Sequence, residues 1–147
     1  MGIQESEQAN GQFSDFCRSY GAILLRLSLG IVFLWFGMLK ISGISPVADM
    51  ISASYSFMPE PAFILGLGII EVIIGLGLIF KIYLRTILIM FWLQMLGTFC
   101  TFLFAPSLLI NGGNIFTLTT LGEFIVKNIV LISAGVVIWG YEAKQDI

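Results

Sequence analysis

Histidine is absent from this chain of 147 residues. Its absence removes the commonest general base, the usual haem ligand and most zinc and copper sites. Cysteine is scarce: Cys17 and Cys100 stand far apart, with no Cys-x-x-Cys pair. That excludes a disulfide framework and a relay built on neighbouring thiols. An autonomous redox enzyme is therefore not expected, although an accessory subunit of one stays open. Charge is scarce too. Only 11% of the residues are charged, the formal net charge is −2, and no basic run occurs. Nucleic acid is not an expected partner of such a chain. A soluble domain carries about 25% charged residues, so this composition cannot cover a surface facing water.

What the chain has instead is hydrocarbon. It is 58% hydrophobic, with a mean hydropathy of +0.99, and its expected partner is the lipid bilayer. A spanning helix needs about 20 apolar residues. Four stretches meet that length, at about 19–41, 62–80, 84–104 and 120–141. The expected fold is an all-α membrane protein, a bundle of four transmembrane helices. Arg18 lies behind an acidic polar segment, and the apolar run after it is too long for a signal peptide, so the first helix reads as retained. Residues 1–16 are rich in Gln, Ser and Glu and read as a loose polar tail; residues 17–141 form one membrane domain, and 142–147 a polar end.

The connections carry their own signals. Ser45-Pro46 is an N-cap followed by a proline at N1, and Val47, Met50, Ile51 and Tyr55 make a weak apolar face. They predict a short interfacial helix between helices one and two. Pro59-Glu60-Pro61 closes that segment. The link Lys81 to Arg85 is tight, which makes helices two and three antiparallel neighbours. Pro106 stops helix three, Asn111-Gly112-Gly113-Asn114 is a turn-rich loop, and Thr120 with Glu123 forms a capping-box pattern. Arg18, Arg26, Lys81, Arg85 and Lys144 fall towards one side, Lys40 and Lys127 towards the other. The positive-inside rule then places both termini in the cytoplasm. Cys17 and Cys100 should lie a membrane apart, beyond disulfide reach.

The candidate site is drawn by the few charges left inside the spans. Glu71 sits near the middle of helix two, where an ionised carboxylate costs about 2.5–3.5 kcal/mol. Gly68 and Gly75 share its face and let another backbone approach. Helix one offers a matching row: Arg26, Gly30, Phe33, Gly37 and Lys40, at steps of four and three. With the inner ends of the helices level, Arg26 lies about 6 Å from Glu71 in depth. The expected arrangement is a buried Arg26–Glu71 pair with Lys127 nearby, Lys40 reaching the outer surface, and Glu123 serving as cap and as i,i+4 partner of Lys127. Structural locking of helices one and two is as good a reading of this pair as chemistry. On helix three, Gln94, Thr98 and Thr101 form a softer polar row, a lining for a small polar or quinone-like ligand or ordinary helix glue. Trp35 and Phe36 beside the helix-one row would suit a flat ligand, though aromatics at helical spacing usually pack.

Two stretches carry a resemblance. LLRLSLGIVFLWFGMLKISGISP looks like the first helix of the YkgB/RclC family of small bacterial inner-membrane proteins, within the wider DoxX-like group. GEFIVKNIVLISAG matches that family's Gly-aromatic-Lys pattern at Gly122, Phe124 and Lys127, and Glu71 matches the acid of its second helix. The chain departs from the pattern at Glu123, where the family often has a base, and at Asn128, where it often has Asp. The resemblance implies a four-helix bundle in a bacterial cytoplasmic membrane, a link to reactive-chlorine stress, and a place beside quinone-linked oxidoreductases; it carries over no catalytic residue. The expected function is a stress-associated accessory subunit of a quinone-linked redox system. Two alternatives stand beside it: a small proton or solute translocator using Glu71, and a structural or assembly subunit of a larger complex. No cofactor or metal is evident, with quinone or lipid left open, as are a membrane-protein partner and a homo-oligomer.

Overall fold

A computed structural model describes residues 2–55, 62–114 and 116–145. It contains α1 (Gly2–Ile41), α2 (Ala48–Ser54), α3 (Ala62–Phe80), α4 (Leu84–Phe104), α5 (Pro106–Leu109) and α6 (Thr120–Gln145), with no strand among the described residues. Four segments are long and apolar enough to cross a membrane: Gly11–Ile41, Ala62–Phe80, Leu84–Phe104 and Thr120–Glu142. The protein is a four-helix membrane bundle.

The helices close a ring in the order α1, α3, α4, α6 and back to α1, and α1 packs most extensively on α3. One apolar core, around Leu29, Phe33, Ile74, Leu78, Leu88 and Phe91, fills the end of the bundle where α3 turns into α4. A second, around Ile51, Ile64, Leu109 and Ile125, seals the opposite end beneath α2 and α5. Each spanning helix still turns large apolar side chains outward, among them Ile31, Trp35, Leu93, Leu96, Val130 and Val136. That outward apolar face is the surface a bilayer solvates.

Several local expectations are corrected. The expected loose tail is helical from Gly2, continuous with the first span. Gln, Glu and Ala are good helix formers, no proline interrupts them, and a helix already nucleated by the span extends cheaply. α2 is present, but its N-cap is Val47 rather than Ser45, and no side chain caps it. Ser45 instead starts a turn in which Ala48 N–H donates to its carbonyl at 3.2 Å. At α6 the cap lies one residue earlier than expected: Gly122 N–H donates to Thr119 Oγ1 at 3.1 Å, so Glu123 is outside the capping box. The Pro59-Glu60-Pro61 break lies outside the described residues. The α3–α4 reversal is tight enough to force Lys81 and Tyr83 into positive φ, at 58° and 45°. Gly112 and Gly113, at φ 60° and 75°, turn the loop before α6 without that strain.

Candidate functional site

The α1–α3 seam is built from glycine. A Cβ on Gly75 would stand 2.6 Å from Leu34 N, one on Gly37 would stand 2.7 Å from Gly68 O, and Gly30 faces Gly75 and Ile79. These contacts fix an antiparallel register in which Gly37 is level with Gly68 and Glu71, and Gly30 with Gly75. Backbones this close leave little room for side chains between them. Those at the edge of the seam are therefore aimed by it.

Glu71 is one such side chain, and its partner is Lys40. Lys40 Nζ donates to Glu71 Oε1 at 2.9 Å and Oε2 at 2.7 Å, with the two residues 8% and 9% exposed. Gln94 Nε2 donates to Glu71 Oε1 at 2.7 Å, so α1, α3 and α4 meet at one carboxylate. The expected Arg26–Glu71 pair is not formed. Arg26 Nη1 instead donates to the carbonyls of Leu78 and Ile79, where the last turn of α3 has acceptors without intrahelical partners. Lys127 does not join the cluster either. Its side chain is 74% exposed and lies 3.8 Å from Glu123, so it makes the expected i,i+4 contact at the surface. The inward row of α6 runs through Gly122, Ile125 and Asn128, which leaves Lys127 on the flank.

Arg26 should therefore behave as a helix cap. Arg26→Ala is expected to lower bundle stability by about 1–2 kcal/mol, as loss of a charged donor to backbone acceptors does. The Lys40–Glu71 pair should be left intact. Denaturation of the purified variant in mixed micelles checks the first claim. A change in the vibrational band of the isotopically labelled Glu71 carboxylate would refute the second.

Beside the ion pair lies a cavity of about 560 Å³ between the four spanning helices. Val32, Phe33, Ile70, Met90 and Leu131 contribute apolar wall, while Lys40, Glu71, Gln94, Thr98, Thr101 and Asn128 bring polar groups to it, and Lys127 borders it at its exposed edge. Thr98 Oγ1 is spent on its own helix, donating to Gln94 O at 3.1 Å. Trp35 faces outward at 65% exposure, whereas Phe36 lines the cavity edge-on to Phe124, with ring centroids 6.1 Å apart. α2 covers one end. Its C-cap, Tyr55, stacks with Phe63 and Phe104 and donates its hydroxyl to the carbonyl of Gly97. Burial raises the Tyr55 phenol above its ordinary value, against the hydrogen bond with Thr101, so it stays a donor. Cys17 and Cys100 are free.

Two members of this site were not counted among its candidates from the sequence, and Asn128 entered only as a departure from the family pattern. Tyr55 entered only as the end of a weak apolar face. Asn128 is 8% exposed, and a lone amide in the run IVKNIVLI is a signal that could have found it. Among the described residues, no three His, Cys, Asp or Glu side chains group as metal ligands.

The fold and the site together define a polytopic helical membrane protein in which a buried ion pair borders an amphipathic cavity. The DoxX family model matches residues 21–105, more than half of the chain, and the chain belongs to the DoxX family. No curated protein and no solved structure matches it. The family match covers the membrane part of α1 through α4, and so includes Lys40, Glu71 and Gln94, but stops short of α6 and Asn128.

Proposed function

We propose that the protein is an accessory subunit of a quinone-linked redox system in a bacterial cytoplasmic membrane, with both termini in the cytoplasm. In this reading a quinone-class molecule sits in the cavity. The observation that carries it is the cavity itself: about 560 Å³, walled by apolar side chains and bordered by a buried polar cluster. Small-molecule sites are of this size and character, largely apolar with a few convergent polar groups. A quinone supplies electron chemistry when bound, and the side chains supply its place. Lys40 has three N–H donors, and the two hydrogen bonds to Glu71 leave one for a ring carbonyl. Phe33 and Phe36 offer ring faces. Resemblance to the YkgB/RclC family supports reactive-chlorine stress as the setting.

The test is purification from native membranes into lipid nanodiscs, followed by extraction and mass spectrometry. Isoprenoid quinone is expected near one per protein, and Phe36→Ala, which opens the wall, is expected to lose most of it. Only bulk phospholipid in the wild type would end the reading. Proton flux in liposomes that vanishes with Glu71→Gln would replace it with translocation. A stoichiometric larger complex without quinone would replace it with a purely structural subunit.

A further inference from the structure

We infer that Asn128 anchors the ligand of this cavity and makes the site selective for an uncharged head group carrying carbonyl or hydroxyl oxygens. The inference rests on the reading that the cavity holds a small amphiphile. Asn128 lines the cavity, is more than nine-tenths buried, and has no hydrogen-bond partner among the described residues. A polar group of a cavity wall without a protein partner is a natural point of attachment for a ligand, and Gln94 Oε1, which borders the same cavity, is a buried acceptor that also lacks a partner. Its buried neighbours on α6, Ile125 and Ala134, offer it nothing. Asn128 is thus a polar group whose missing partner belongs in the cavity.

The surrounding charges say what that partner is. Lys40 is neutralised by Glu71 through both carboxylate oxygens, and Lys127 lies at the surface beside Glu123. The buried part of the wall therefore carries no net charge, and Lys127, which borders the cavity at its exposed edge, is balanced by Glu123 at 3.8 Å. A charged head group would bring an unbalanced charge to membrane depth, a penalty on the order of a hundredfold in affinity. A carboxamide both donates and accepts, so Asn128 can meet a carbonyl through Nδ2 or a hydroxyl through Oδ1.

The experiment is equilibrium binding of a radiolabelled decyl-substituted benzoquinone to the full chain in nanodiscs, with decanoate and decylammonium as competitors. Neutral decyl-hydroquinone should compete comparably with the probe, and the two charged amphiphiles at least tenfold less well. Asn128→Leu should weaken probe binding by about tenfold, the value of one buried hydrogen bond. Asn128→Ser, which keeps a short hydroxyl, should lose only about threefold. Equal competition by either charged amphiphile overturns the selectivity. Full-strength binding by a folded Asn128→Leu overturns the anchoring role while leaving the quinone reading intact. If Asn128→Leu does not fold, the wild-type competition and Asn128→Ser decide. Absence of probe binding to the wild type would instead remove the quinone reading, and the inference with it.

Discussion

Lys40→Met is expected to destabilise the bundle by about 3–5 kcal/mol, the cost of stripping the partner from a buried charge. Glu71 would be left in a low-dielectric interior with Gln94 Nε2 as its remaining donor. Glu71→Leu alone is expected to be comparably harmful, because it strands the Lys40 ammonium at 8% exposure, where snorkelling to water means giving up its packing. The double variant Lys40→Met with Glu71→Leu should recover most of the loss, since a buried pair replaced by hydrophobic groups of similar volume is often neutral. Unfolding of the two single variants and the double variant in mixed micelles gives the coupling energy directly. A coupling below about 0.5 kcal/mol would mean that the pair locks nothing. In that event the 2.7 Å contact would be incidental to the fold. Glu71→Gln tests a different point. It removes the charge while keeping an acceptor for Gln94, so it should fall between the wild type and Glu71→Leu.

The same pair shows where the chain's own sequence is informative and where it stops. The spans were legible because length and hydropathy alone set them: the expected 62–80 and 84–104 are α3 and α4 to the residue. The row from Arg26 to Lys40 was legible because 3.6-residue periodicity puts those residues on one face. Depth was not legible. Levelling the inner ends of the helices placed Arg26 near Glu71, yet the glycine contacts set Gly37 against Gly68 and Val72, and Gly30 against Gly75. Glu71 then lies one turn from Lys40, while Arg26 lies eleven residues below Gly37, or about 16 Å. The N-terminal part of α1 extends past the C-terminal end of α3, and no property of either helix alone reveals that offset. The cation that the sequence sends to the surface therefore turns inward. The one meant for the carboxylate caps a helix instead. Asn128 was illegible for a related reason. The sequence marks it only as a departure from the family pattern, and whether an amide inside an apolar helix finds a partner is decided by the packing.

The seam that sets this register should tolerate a single added methyl group poorly. Gly75→Ala would place a Cβ 2.6 Å from Leu34 N and 2.8 Å from Gly30 O, and Gly37→Ala one 2.7 Å from Gly68 O and 2.8 Å from Val72 N. All four are backbone atoms, so no rotamer change relieves the clash and α1 must move away from α3. Overpacking of this kind costs about 1–3 kcal/mol in a well-packed core. Alanine also gains up to about 1 kcal/mol over glycine in helix propensity, so the net loss should be somewhat smaller. Gly66 supplies the control on the same helix, because a Cβ there meets nothing within 4 Å. Gly66→Ala should be neutral or stabilising by up to about 1 kcal/mol, from propensity alone. Equal stability of Gly75→Ala and Gly66→Ala would refute the close seam. Separation of α1 from α3 should also loosen the ion pair, because Gly37 lies one turn from Lys40 and its added Cβ would stand 2.9 Å from Glu71 Cβ. Gly37→Ala and Lys40→Met should therefore be less than additive, by about 0.5 kcal/mol or more. Gly66→Ala and Lys40→Met should simply add. That contrast separates a seam that positions the charged pair from one that only happens to lie beside it.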